Sequence, residues 1–117
     1  MKQNDLLDRT FNFGVDVLKF IRQLPKDSEY NLIRFQLGKS ATSIGANYEE
    51  SQAGSSKADF KNKVRISLKE ARESNYWLRI INALTETESK ESIELIRLLQ
   101  ESKEIKNILA AILNKMN

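Results

Sequence analysis

The chain has 117 residues, 40% of them hydrophobic and 30% charged, with a formal net charge of +3 and neither Cys nor His. That length suits one domain, 1–117, with enough apolar content for a core; absent Cys excludes a disulfide scaffold, a thiolate zinc site and a cysteine nucleophile. Absent His removes the commonest general base and the Ser-His-Asp route. The opening MKQNDLLDRT lacks a basic segment leading into an apolar run, and nothing approaches the roughly 20 apolar residues of a membrane span. The expectation is a soluble, unexported, cytoplasmic chain.

The first predicted helix covers about 4–24, capped by Asn4 or Asp5 and stopped by Pro25. Its apolar residues fall in two neighbouring stripes: Leu7, Phe11, Gly14, Leu18 and Ile21, and Leu6, Phe13, Val17, Phe20 and Leu24. So wide an apolar arc, with three Phe in it, predicts a large buried face, in the core or at a subunit contact. The second helix, about 28–52, carries Tyr30, Ile33, Leu37, Ser40 or Ala41, Ile44, and Asn47 or Tyr48 along one side. Gly38 and Gly45 inside it cost about 1 kcal/mol each relative to Ala, which close helix packing would offset. An inward Asn47 would need hydrogen-bond partners and would fix the register of the helices. Ala53 to Ser56 forms a turn.

The third helix, about 56–84, has the most sorted chemistry. Ser56 with Asp59 three residues on is an N-cap pattern. Phe60, Val64, Ser67, Ala71, Ser74, Leu78 and Ile81 make one packed stripe, and Ile66, Trp77, Ile80 and Leu84 a second apolar sector. After a break at Thr85 to Ser89, a fourth helix capped by Ser89 runs over about 89–115, with Leu95, Leu98, Ser102, Ile105, Leu109 and Ile112 as its seam. Four helices of similar length with short connections describe an all-α, antiparallel up-down-up-down four-helix bundle.

The basic excess sits in the third helix. Between residues 57 and 79 there are seven Lys or Arg against three acids, while every other part of the chain is within one charge of neutral. Lys57, Lys61, Arg65, Lys69, Arg72 and Arg79 project within a sector of about 120°. Such a face is the electrostatic footprint of a phosphate-backbone contact; it is also what an ordinary solvated helix surface looks like.

Glu49, Glu50, Glu70 and Glu73 invite comparison with the carboxylates of di-iron bundles, but without His the Glu-x-x-His ligand pairs cannot be built. A carboxylate-only Mg²⁺ or Ca²⁺ site is the metal option that remains. The favoured role for these glutamates is ion pairing with Arg65, Arg72 and nearby Lys between helices. Gly38-Lys39-Ser40 lacks the upstream Gly and the strand of a phosphate loop, so it is not a nucleotide site. No metal or cofactor is expected.

Two segments carry a family resemblance: GKSATSIGANYEESQAGSSKADF, from Gly38 to Phe60, and KVRISLKEARESNYWLRII, from Lys63 to Ile81. Ser40, Ser43, Ile44, Asn47, Glu49 and Glu50, then Asp59 and Phe60, then Lys69 to Glu73 and Tyr76 to Leu78 resemble the 23S ribosomal RNA intervening-sequence proteins, a four-helix bundle family. Ser51 and Ser67 stand where this subgroup would have alanine. The resemblance implies an antiparallel bundle assembling as a homopentamer. Many relatives are labelled ribosomal proteins, and some are encoded inside insertions in ribosomal RNA genes. It extends to the accessory protein of diversity-generating retroelements, a basic pentamer that binds nucleic acid and a reverse transcriptase.

Two functional expectations follow. One is a non-enzymatic oligomer that contacts RNA or other nucleic acid through Lys57, Lys61, Arg65, Lys69, Arg72 and Arg79, without reading sequence. The other is a protein-interaction scaffold presenting Tyr76, Trp77 and the remaining apolar surface to a protein partner.

Overall fold

The computed structural model describes residues 3–54, 56–85 and 92–116. Four helices succeed one another, α1 (Gln3–Ile21), α2 (Ser28–Ser51), α3 (Lys57–Leu84) and α4 (Ile93–Lys115), with no strand among the described residues. Each packs on its neighbour in the chain and α1 closes on α4, so that α1 and α3 lie on one diagonal and α2 and α4 on the other. The result is the up-down-up-down four-helix bundle, 48 × 23 × 21 Å. Among the described residues no helix is long and apolar enough to cross a membrane.

The ends of the helices follow local chemistry. Pro25 disfavours helical geometry at the residue before it, and α1 stops at Ile21, three residues earlier than its apolar pattern suggests. The carbonyls left open there are taken by Arg34 of α2, whose Nη1 donates to the carbonyls of Ile21 and Leu24 at 3.2 Å each and whose Nη2 donates to that of Pro25 at 3.0 Å. Asp5 falls in the first turn of α1 and does not cap it; the side chain of Asn4 lies outside the described residues. Ser56 caps α3 as expected, accepting from the Asp59 amide at 3.1 Å. Between α2 and α3, Gly54 takes φ +83°, a left-handed conformation that costs Gly little and other residues more. The expected cap Ser89 lies outside the described residues; described α4 starts at Ile93, with Ser92 Oγ accepting from the Leu95 amide at 3.1 Å.

The interior is one cluster drawn from all four helices. On α3, Val64, Ser67, Ala71, Ser74, Leu78 and Ile81 are buried, as the period of the stripe requires, and Phe60 is half-buried. On α2 it is Tyr48, not Asn47, that completes the stripe. On α1 the second stripe reaches the core, joined from the first by Ile21, by buried Gly14 and by Leu7, which packs against the core cluster. Phe11 (66%) and Leu18 (43%) remain exposed, because the arc they occupy points past α2 and not toward the bundle axis. Close approach of α1 and α2 explains two glycines: a Cβ on Gly45 would lie 3.2 Å from the carbonyl carbon and oxygen of Thr10, and one on Gly14 would lie 3.5 Å from the Ala41 carbonyl oxygen.

Candidate nucleic-acid interface

Register between α2 and α3 is set by hydroxyls. Ser40 Oγ and Ser74 Oγ meet at 2.8 Å in the interior, and Ser67 Oγ donates to the Ile44 carbonyl at 2.8 Å. Ser67 replaces the alanine expected from the family pattern, so this departure adds a bond between helices. Ser51 spends its hydroxyl within α2, on the Tyr48 carbonyl. Asn47 does not fix the register as expected: half-buried, it donates from Nδ2 to the Ser43 carbonyl of its own helix at 2.9 Å. Between α3 and α4 the corresponding link is Asn75, whose Nδ2 donates to Ser102 Oγ at 3.0 Å.

With those contacts made, α3 turns its opposite side to solvent. Lys57, Arg65, Lys69, Arg72 and Arg79 are exposed there and Lys61 is half-buried at the margin. Arg65, Lys69, Arg72, Tyr76 and Arg79 recur at steps of four, three, four and three, a single line along the helix about 21 Å long at 1.5 Å per residue. Two lysines that sequence reasoning left out adjoin this face: Lys106 of α4 lies one turn beyond Ser102 on the same side, and exposed Lys103 next to it. The signal for them was the antiparallel pairing of α4 with α3, which a single-helix pattern does not contain.

Of the arginines outside α3, Arg9, Arg34 and Arg97 are engaged, while Arg22, just past the end of α1, is exposed with no ion-pair partner among the described residues. Arg9 forks onto Glu101, Nε to Oε2 at 2.9 Å and Nη2 to Oε1 at 2.6 Å, and reaches Glu104 at 2.9 Å. Arg97 holds Asp16 at 2.8 Å and Glu94 at 2.9 and 2.8 Å. These pairs run along the α1/α4 seam; the Arg97 hydrogen bond holds the Glu94 carboxyl below its ordinary range. The expected pairing of Glu49, Glu50, Glu70 and Glu73 with Arg65 and Arg72 does not form among the described residues; of the nearby Lys, Lys69 pairs with Glu70 of its own helix. Among the described residues Arg65 and Arg72 have no ion-pair partner. Glu49 and Glu50 are exposed on the α1/α2 side. Glu70 stands 3.8 Å from Lys69, and burial, then the neighbouring Glu73, pushes its carboxyl up. Glu73 accepts from Trp77 Nε1 at 3.4 Å. No cluster of three or more acids close enough to hold a metal occurs among the described residues.

A second surface lies across the bundle. Leu7, Phe11, Val15 and Leu18 of α1, with Thr42, Gly45, Ala46, Glu49 and Glu50 of α2, bound a mostly apolar groove of about 470 Å³. Phe35 (65% exposed) stands one turn from Gly38, against which Leu18 packs, and so extends the apolar surface. Since α1 and α3 are diagonal, the groove and the basic line look away from each other.

Fold and surface thus define a helical bundle with one cationic face, on which Arg65 and Arg72 have no ion-pair partner among the described residues, and one apolar groove. The chain belongs to the 23S rRNA-intervening sequence protein family, whose model matches residues 2–111. It is similar over 92% of its length, at 33% identity and a TM-score of 0.78, to a crystallographically solved protein of unknown function from the S23 ribosomal protein family of Bacteroides thetaiotaomicron VPI-5482, of which 97% is covered. No curated protein matches the chain.

Proposed function

We propose that this chain is a non-enzymatic, cytoplasmic RNA-associated protein that holds phosphates on the α3 face, with Lys57, Lys61, Arg65, Lys69, Arg72 and Arg79 as contacts. The observation that carries the reading is the contrast between the arginines of the α1/α4 seam and those of the α3 face. Arg9 and Arg97 are engaged by carboxylates, while Arg65 and Arg72 stand exposed with no ion pair among the described residues. An unpaired guanidinium keeps its five donors for phosphate oxygens, and neutralising phosphates releases counterions. Membership of a family named for ribosomal RNA insertions supports the choice of RNA, as does the resemblance to the nucleic-acid-binding accessory protein of diversity-generating retroelements. Self-association, to a pentamer by the same resemblance, would use the α1/α2 groove and leave the opposite basic face open.

The test is binding of a 23S ribosomal RNA fragment across a salt series, with solution mass measured on the same sample. Affinity should fall steeply with salt, and the triple change Lys57→Glu, Lys61→Glu and Arg65→Glu should abolish it. Undiminished affinity in that variant would refute the reading. The exposed apolar groove favours a second reading, a protein scaffold. It gains if the native chain binds no RNA at low salt yet retains a protein partner in high salt.

A further inference from the structure

We propose that Tyr76 is a base-stacking platform, so that the nucleic acid held on α3 is an unpaired strand and not a duplex. This rests on the phosphate-contact reading above and names the class of ligand.

The basic line contains one aromatic residue, and it is placed among the cations. Tyr76 follows Arg72 by four residues and precedes Arg79 by three, and it is 47% exposed. A tyrosine serving only the core would turn inward, as Tyr48 and Tyr30 do. The neighbours of Tyr76 hold its surroundings in place. Arg79 lies over one face of the Tyr76 ring, its guanidinium carbon 5.7 Å from the centroid, so the face a base would take is the opposite one. That arginine is itself tethered: Nε donates to Asn75 Oδ1 at 2.9 Å, Asn75 Nδ2 donates to Ser102 Oγ at 3.0 Å, and Ser102 Oγ donates to the Leu99 carbonyl at 2.9 Å. The Trp77 and Tyr76 rings stand nearly perpendicular, centroids 5.3 Å apart and planes at 78°, with the Trp77 indole nitrogen held by Glu73. A positioned ring beside a positioned guanidinium, at one end of a cationic line, is the combination by which single strands are bound: cations follow the phosphates and a base lies on a π-face. A duplex keeps its bases stacked on one another and offers such a ring nothing.

The experiment compares a mixed-sequence RNA of about 12 nucleotides with the same RNA annealed to its complement, at equal salt, for the native chain, Tyr76→Ala and Tyr76→Phe. Trp77 is the single tryptophan of the chain, so its fluorescence reports on the platform directly. Expected are tighter binding of the single strand with quenching of Trp77, a loss of roughly tenfold to a hundredfold in Tyr76→Ala for the single strand only, and near-native affinity in Tyr76→Phe. The salt slope should be unchanged in Tyr76→Ala, since no phosphate contact is removed. Comparable binding of single-stranded DNA of the same sequence fits, because every base has a π-face. Equal loss on single strand and duplex, or no loss on either, overturns the proposal while leaving the phosphate reading intact. Failure of the native chain to bind either form overturns both.

Discussion

The hydroxyls of Ser40 and Ser74 lie 2.8 Å apart in the interior, one from α2 and one from α3, both fully buried. Each satisfies the other, so removing one leaves its partner to fall back on its own helix; Ser40 Oγ already has the Leu37 carbonyl at 3.3 Å. Ser74→Ala should cost about 1 kcal/mol, and the double change Ser40→Ala with Ser74→Ala less than the two single costs added, by at least about 0.5 kcal/mol. Urea midpoints of the three variants measure this. Strictly additive costs would mean the two hydroxyls do not interact.

Gly14 and Gly45 sit on the same α1/α2 contact but should respond oppositely to a methyl group. At Gly45 the new Cβ would press on the Thr10 backbone at 3.2 Å, which cannot swing aside as a side chain can. Gly45→Ala should lower stability by about 1 to 2 kcal/mol even after the gain in helix propensity. At Gly14 the nearest atoms lie at 3.5 Å, an ordinary contact, and Gly14→Ala should gain about 0.5 to 1 kcal/mol. Thermal midpoints moving in the same direction for both would contradict this packing.

The buried hydroxyl of Tyr48 has no hydrogen-bond partner among the described residues, and burial raises the pKa of the phenol. Removing it takes away a desolvated polar atom and leaves the ring in place. Tyr48→Phe should therefore stabilise the fold, by about 1 kcal/mol. A clear fall in the denaturant midpoint would show instead that the hydroxyl is engaged.

Burial first, and Glu73 second, raise the Glu70 carboxyl above its ordinary range. The folded chain thus keeps that proton to higher pH than the unfolded chain does. Stability from this group is greatest below the ordinary carboxylate pKa and is lost as pH rises through the raised one. Glu70→Gln should accordingly match the native chain near pH 4 and exceed it at pH 7. Parallel stability curves for the two proteins would remove the assignment.

Periodicity alone told which residues share a side of each helix, and this was enough for the bundle. Val64, Ala71, Leu78 and Ile81 are buried where their spacing puts them, and Ser56 caps α3. What spacing along one helix does not contain is the axial offset between two. Ser40 opposite Ser74, Asn75 opposite Ser102 and Arg34 beneath the end of α1 all depend on that offset, which emerges only when four helices pack together. The cationic sector of α3 was legible because it belongs to a single helix; Lys103 and Lys106 were not, because they reach it from another. At α1 the width of the apolar arc was legible too, but not which part of it the chain covers by itself: Phe11 and Leu18 stay exposed.

Because α1 rises, α2 descends, α3 rises and α4 descends, α1 starts and α4 finishes at the pole where α3 begins. Tyr76 stands 19 residues along α3 from Lys57, roughly 28 Å from that pole at 1.5 Å per residue. A tether to a bead or sensor surface, fixed beside Gln3 or Lys115, would hold every copy with its aromatic end pointing into solution. Single-molecule capture could then be done from that pole while leaving Tyr76 and Arg79, at the far end of the cationic line, open to solution.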